Sequence, residues 1–339
     1  MMDKVELGKT GQLVSRYCLG TMLMGTLTDR PAAFEMLDRF AAAGGNFIDT
    51  ANCYAWWLAG EYSAGDESET LLGEWIKERR KRDKIFLATK AGARLKDVRQ
   101  VRSPEGTIAW EKVPQAYEYL SAAAIQNAIE GSLRRLNTDY IDLYYAHIDD
   151  RVTPLEETLQ ALNNLVVAGK VRHLACSNLR TWRLERARNL SRQHGWAAYV
   201  ALQQEYSYLR PKPGLRTGVD VHVDDELIDY LNNNAEVTLL AYSPLLKGIY
   251  DNQQKREAYY NWNYYNNDDT RARLEVLGRM ARELNVTNSQ LVLAWMVHHR
   301  PLVIPILGAR NLEQYDQCMA ALDIHLTDEQ MSILNQASA

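Results

Sequence analysis

The chain has 339 residues, 46% hydrophobic and 24% charged, with a formal net charge of −4. That is globular composition with length for a large core, and without the basic excess that suits nucleic acid or an anionic membrane. Cys18, Cys53, Cys176 and Cys318 lie far apart with no CxxC pair, which argues against a disulfide framework or a zinc site and for a reducing, cytoplasmic setting.

The opening MMDKVELGKTGQ is polar and has no apolar core, so no signal peptide is expected. Segments 4–7 and 12–15 flank Gly8, Lys9, Thr10 and Gly11 and read as a β-hairpin, placed to close the N-terminal mouth of the fold that follows. From there, short apolar runs alternate with longer stretches of helical periodicity. Strands are expected at 17–20, 46–50, 84–89, 140–147, 171–177, 199–205, 237–242 and 302–307. Helices are expected at 31–43, 68–80, 121–136, 155–168, 181–192, 225–233, 271–284 and 288–298. Asp29 is placed to cap the first helix and Ser68 the second. The longest apolar stretches, such as 291–297, are too short to cross a bilayer.

Strand alternating with helix implies a parallel sheet, because parallel neighbours need a crossover connection. Eight such units point to a single α/β domain, a closed (β/α)8 barrel of the TIM type with an N-terminal β-hairpin. A doubly wound sheet would want a Gly-rich turn after its first strand. Here Gly20, Thr21, Met22, Leu23, Met24 and Gly25 do not match that spacing. Long connections at 91–120, 207–224 and 245–270 all follow the carboxyl ends of strands, the face where barrel enzymes place their working loops.

Three consecutive strands deliver ionisable residues to that face. The second ends in Phe47-Ile48-Asp49 with Tyr54 just beyond, the third in Lys90, and the fourth in His147. The alternative is a structural Asp49–Lys90 ion pair beside an unrelated histidine. The convergence on one rim favours a site. Its chemistry suits carbonyl reduction. Hydride arriving at a carbonyl carbon makes an alkoxide that needs a proton. A phenol at Tyr54 can supply it, with Lys90 lowering the phenol's pKa, Asp49 holding Lys90, and His147 orienting the carbonyl oxygen. No metal is required.

With Gly20-Thr21, FIDTA followed by Tyr54, ATK ending at Lys90, and AH ending at His147, the chain resembles the aldo-keto reductase superfamily. Ser177-Asn178, Gln203 in LQQEYS, AYSPL and PILGARNLEQ extend the resemblance over almost the whole length. It implies NADPH bound in extended form across the barrel mouth, with Thr21, Met22 and Asp49 among its contacts. Ser177, Asn178 and Gln203 would hold the carboxamide, and Tyr242 would stack on the nicotinamide. Ser243, Pro244, Leu245 and Gly248 would run beside the pyrophosphate. Gly308, Ala309, Arg310 and Gln314 would take the 2′-phosphate end. Arg310 also has its own rationale, since a guanidinium suits a phosphate. At the adenine position the family has Asn where this chain has Cys318, which departs from the pattern.

The stretch between Tyr54 and Ser68 is longer than the common family form and carries Trp56, Trp57 and Tyr62. Trp57, Trp110 and Tyr206 are the expected substrate contacts, as aromatic platforms for a sugar-like or ring ketone. The other reading is loop packing or an oligomer contact, and the oligomeric state is open. Tyr259, Tyr260, Trp262, Tyr264 and Tyr265 cluster after the seventh strand and could form a mobile cover. Two other functions share these residues: a sugar dehydrogenase working mainly in the oxidising direction, and a cofactor-sensing regulatory subunit of the same fold.

Overall fold

The computed structural model describes residues 1–59, 63–103, 105–215 and 218–338. Tyr62, one of the candidate aromatics, lies outside the described residues. Strands β1 (Lys4–Glu6) and β2 (Leu13–Ser15) form an antiparallel pair. The next strands are β3 (Cys18–Gly20), β4 (Phe47–Asp49), β5 (Phe86–Ala91), β6 (Ile141–Ala146), β7 (Val171–Ser177), β8 (Tyr199–Glu205), β9 (Thr238–Tyr242) and β10 (Val303–Leu307). They pair in parallel in sequence order, and β10 returns to β3, with Ile306 opposite Cys18, to close an eight-stranded barrel. Expected and observed strand ends agree to within two residues.

The helices are α1 (Arg30–Ala42), α2 (Glu67–Arg79), α3 (Ala122–Arg135), α4 (Leu155–Val167), α5 (Thr181–His194) and α6 (Asp225–Asn233). After β9 come α7 (Gln253–Glu257), α8 (Trp262–Tyr265), α9 (Asp268–Glu283) and α10 (Asn288–Val297). After β10 come α11 (Leu312–Ala320) and α12 (Asp328–Gln336). Asp29 caps α1 as expected, accepting from the Ala32 amide at 2.9 Å. Ser68 does not cap α2. That helix starts one residue earlier, behind Asp66, and Ser68 is buried inside its first turn. There its hydroxyl bonds Thr21 O, Thr21 Oγ1 and Thr50 Oγ1, each at 2.8 Å, and ties the ends of β3 and β4 to α2. A buried hydroxyl with three partners is worth more at that position than an exposed cap.

Alternation along each strand sorts the core into two layers. Phe47, Phe86, Leu143, Ala175, Ala201 and Leu240 fill the barrel interior. Ile48, Leu87, Tyr144, Leu174, Leu202 and Leu239 face the helices. The hairpin closes the N-terminal end, and its Leu7 and Val14 are fully buried with the interior residues. Gly8 enables this closure. Its φ is +51°, its amide donates to Thr238 Oγ1 at 2.8 Å, and a Cβ there would lie 2.4 Å from Val200 O. Among the described residues no helix is long and apolar enough to cross a membrane.

Candidate active site

The two-residue strand period decides what reaches the mouth of the barrel. Phe47, Ala88, Tyr145, Ala175, Ala201 and Leu240 point inward, so Asp49, Lys90, His147, Ser177, Gln203 and Tyr242, two residues further along, lie on the same inward side. Lys90 Nζ pairs with Asp49 Oδ1, donates to Thr50 O at 2.8 Å, and bonds Tyr54 Oη. Tyr54 Oη also lies 3.3 Å from Asp49 Oδ1. Gln203 Nε2 donates to the other Asp49 oxygen at 3.1 Å. Both members of the ion pair are buried, so the pair is held by its hydrogen bonds and is little screened. Behind Lys90, Thr89 Oγ1 donates to Glu69 of α2, which accepts from Arg135 Nε of α3 at 2.7 Å. This fixes the tip of β5 from outside.

His147 packs edge-on against Tyr54, with ring centroids 5.9 Å apart. Its Nδ1 lies 3.6 Å from Cys53 Sγ. Burial, aided by the Lys90 charge, pushes the imidazole well below the usual histidine range, so it is neutral near pH 7. The Tyr54 phenol is moved opposite to the sequence expectation. Burial first, then the Asp49 carboxylate, raise it well above the ordinary tyrosine value. Burial and the Asp49 carboxylate, which pairs with Lys90, together outweigh the ammonium at the phenol. Tyr54 therefore keeps its proton across neutral pH, as a proton donor must.

Next to this cluster, Ser177 Oγ donates to Gln203 O at 2.9 Å. Asn178 sits at φ +61° with its Nδ2 3.1 Å from Ser177 Oγ and 3.4 Å from His147 O. Tyr242 Oη is 2.9 Å from Asn178 Oδ1. Beyond β9, Ser243, Leu246, Lys247 and Gly248 all take positive φ, between 44° and 84°. Non-glycine residues in that region persist only where their surroundings hold them, and they gather at functional sites. Here Ser207 Oγ anchors the turn by donating to Pro244 O at 2.5 Å.

Beyond β10, Arg310 is exposed just ahead of α11 and its amide donates to Gln314 Oε1 at 2.9 Å. Added Cβ atoms at Gly248 and Gly308 would meet nothing within 4 Å, so both leave open space. The donor set suits a nicotinamide dinucleotide: amide side chains at one end, a strained turn and open glycines in the middle, a guanidinium at a helix start. Met22 is exposed, whereas Thr21 and Ala309 are buried. Cys318 is buried in the main core on α11.

A family model for the aldo/keto reductase family matches residues 16–339. The chain belongs to that family. Aldo-keto reductases are oxidoreductases that act on carbonyls and typically use a nicotinamide cofactor. The chain is 32% identical over 338 residues to an uncharacterized oxidoreductase, YrpG, of Bacillus subtilis, covering 98% of this chain and 95% of that one. It is 30% identical over 316 residues to an aryl-alcohol dehydrogenase [NADP(+)] of Phanerodontia chrysosporium, covering 92% and 77%. It is 30% identical over 335 residues to a norsolorinic acid reductase of Emericella nidulans, covering 95% and 77%. The solved thermostable aldo-keto reductase Tm1743, in complex with the inhibitor epalrestat, superposes with a TM-score of 0.72 at 26% identity, over 99% of this chain and 100% of that one.

Of the aromatic candidates, Trp56, Trp57 and Trp110 form one cluster, with ring centroids 5.8 to 6.3 Å apart. Trp110 is 56% exposed. Tyr206 is not part of that cluster. Its Oη is 2.8 Å from His299 Nε2, and its ring packs on Trp295. Sequence reasoning missed Tyr117 and Tyr119, which like Tyr54 pack against the buried cluster of Ala51, Cys53, Ala93 and Ile148, and Asp220, which reaches Tyr242. A lone aromatic or acid in a long loop gives no signal until the loop's path is known.

Proposed function

We propose that this aldo-keto reductase uses NADPH to reduce an aldehyde, ketone or sugar carbonyl to the alcohol, with Tyr54 as proton donor. The observation that carries the reading is Tyr54 Oη held jointly by Lys90 Nζ and Asp49 Oδ1 at the barrel mouth. When bound, a reduced nicotinamide would supply the hydride that the carbonyl carbon receives. Tyr54 gives its phenolic proton to the carbonyl oxygen, and Lys90 stabilises the phenolate left behind. Asp49 fixes Lys90, and neutral His147 donates a hydrogen bond that orients the oxygen.

Thr21, Met22, Asp49, Ser177, Asn178, Gln203 and Tyr242 are assigned to the nicotinamide half. Ser243, Pro244, Leu245 and Gly248 are assigned to the pyrophosphate, and Gly308, Ala309, Arg310 and Gln314 to the 2′-phosphate. NADP over NAD is supported by the exposed Arg310 and by the NADP(+) in the name of the aryl-alcohol dehydrogenase relative. Cys318, buried in the core, would shape the adenine end from behind. Trp57 and Trp110 are assigned to the substrate as a platform for a flat ring. That reading agrees with the aryl and norsolorinic acid names of two relatives. Tyr206 would support the pocket wall through its ring contacts.

The test is an NADPH-oxidation screen over aldehydes, ketosugars, cyclic ketones and aryl ketones. Tyr54→Phe should lower turnover by about 10²- to 10⁴-fold while NADPH still quenches protein fluorescence. Unchanged turnover in that variant rejects Tyr54 as the donor.

A further inference from the structure

Cys53 directly precedes Tyr54, and its thiol is buried in a small cluster with Ala51, Ala93 and Ile148. Its Sγ lies 3.6 Å from His147 Nδ1, within hydrogen-bond range for sulfur. Both ends of this contact are fixed. His147 N donates to Ala91 O at 2.9 Å, Asn178 Nδ2 lies 3.4 Å from His147 O, and the ring packs edge-on against Tyr54. Arg94 Nη1 donates to Asn52 O at 2.8 Å and holds the backbone just before Cys53. The thiol keeps its proton near neutral pH, because burial pushes it up to about 12 and the Lys90 charge offsets this only in part. Among the described residues, Nδ1 is the acceptor that this sulfur meets, and Cys53 is the side chain that engages a ring nitrogen of His147.

We propose that Cys53 is a positioning residue for the reduction: its thiol donates to His147 Nδ1 and so holds the imidazole in the tautomer with its proton on Nε2. This rests on the reading that His147 donates a hydrogen bond to the carbonyl oxygen. A neutral imidazole has one N–H and one lone pair, and the bond made at one nitrogen decides which of the two the other presents. With the proton on Nε2, Nδ1 accepts from the thiol and Nε2 donates to the oxygen. With the proton on Nδ1, that N–H faces sulfur, a weak acceptor, and Nε2 sets a lone pair against the lone pairs of the oxygen. His147 is neutral near pH 7 through burial and the Lys90 charge, so the choice is between these two neutral forms. One hydrogen bond of ordinary net strength biases that choice about fivefold.

The experiment is NMR of the full chain carrying nitrogen-labelled histidine, with the His147 ring assigned by its loss in His147→Phe. The averaged shifts of its two nitrogens give the ratio of the tautomers. Wild type is compared with Cys53→Ala and Cys53→Val, which lack a donor and differ in volume, and with Cys53→Ser, which keeps one. The ratio of the Nε2–H form to the Nδ1–H form should fall about fivefold in Cys53→Ala and Cys53→Val and recover in Cys53→Ser. With NADPH and 4-nitrobenzaldehyde as the probe, kcat/KM should follow the Nε2–H fraction across these proteins. A proton on Nδ1 in wild type, or a ratio that stays the same in Cys53→Ala and Cys53→Val, overturns the proposal. An unchanged kcat/KM in His147→Phe overturns the reading of His147 as donor, whatever its tautomer, and the proposal with it.

Discussion

Glu205 lies two residues beyond Gln203 on β8, with Tyr265 Oη donating to one carboxyl oxygen at 3.1 Å and His222 Nδ1 3.7 Å from the other. Burial, reinforced by the Asp220 charge, raises this carboxyl to about 7. The folded chain therefore binds the proton more tightly than the unfolded chain does. The associated stability is fully present below the ordinary glutamate value and is lost as pH rises through about 7. A shift of this size, with the opposing Lys247 charge already included, corresponds to about 3 kcal/mol. Glu205→Gln keeps an acceptor for Tyr265 and removes the buried anion. Its melting temperature should exceed that of wild type by several degrees at pH 8 and match it at pH 5. Equal melting temperatures at both pH values would show that the carboxyl is not held neutral by the fold.

Between elements, α2 approaches α3 closely at Gly73. Gly73 is buried on α2, and a Cβ added there would sit 1.9 Å from Arg135 O. In an isolated helix, Gly→Ala gains about 1 kcal/mol. Here the clash is with backbone and cannot be relieved by a rotamer, so Gly73→Ala should destabilise by about 3 kcal/mol or more, read as a lower denaturation midpoint. Propensity alone predicts the opposite sign. The same distinction marks what the sequence discloses. The barrel strands are readable because burial on both faces leaves continuous apolar runs, as in Phe86 to Ala88 and Leu143 to Ala146. Asp49, Lys90 and His147 stand out because each ends such a run. Gly73, Ser68 and Asp220 do not, because their roles lie in contacts with segments far along the chain. Helix α11 is equally hidden. Its nine residues are led by Asn311 and carry only Tyr315 and Cys318 as a buried face.

Across the whole molecule, the barrel is sealed at one end by the hairpin, and at the other Val221 and Val223 pair with the end of β8 at Glu205. The hairpin end carries none of the candidate site residues, so stability and chemistry are assigned to opposite faces. Leu7 is fully buried in that seal. Leu7→Ala should cost about 2–5 kcal/mol in denaturant unfolding while KM and kcat at 25 °C stay near wild type. A changed KM would show that the seal reaches the site. At the opposite face, Asp49 takes Lys90 and Tyr54 on one oxygen and Gln203, 154 residues away in sequence, on the other. Replacing Asp49 strands Lys90 as a buried cation, so a later change at Lys90 costs less than it would alone. The effect of each substitution therefore depends on which others came first. Mutational drift at this rim is epistatic, and a new arrangement of the site is reached by changes on several strands together.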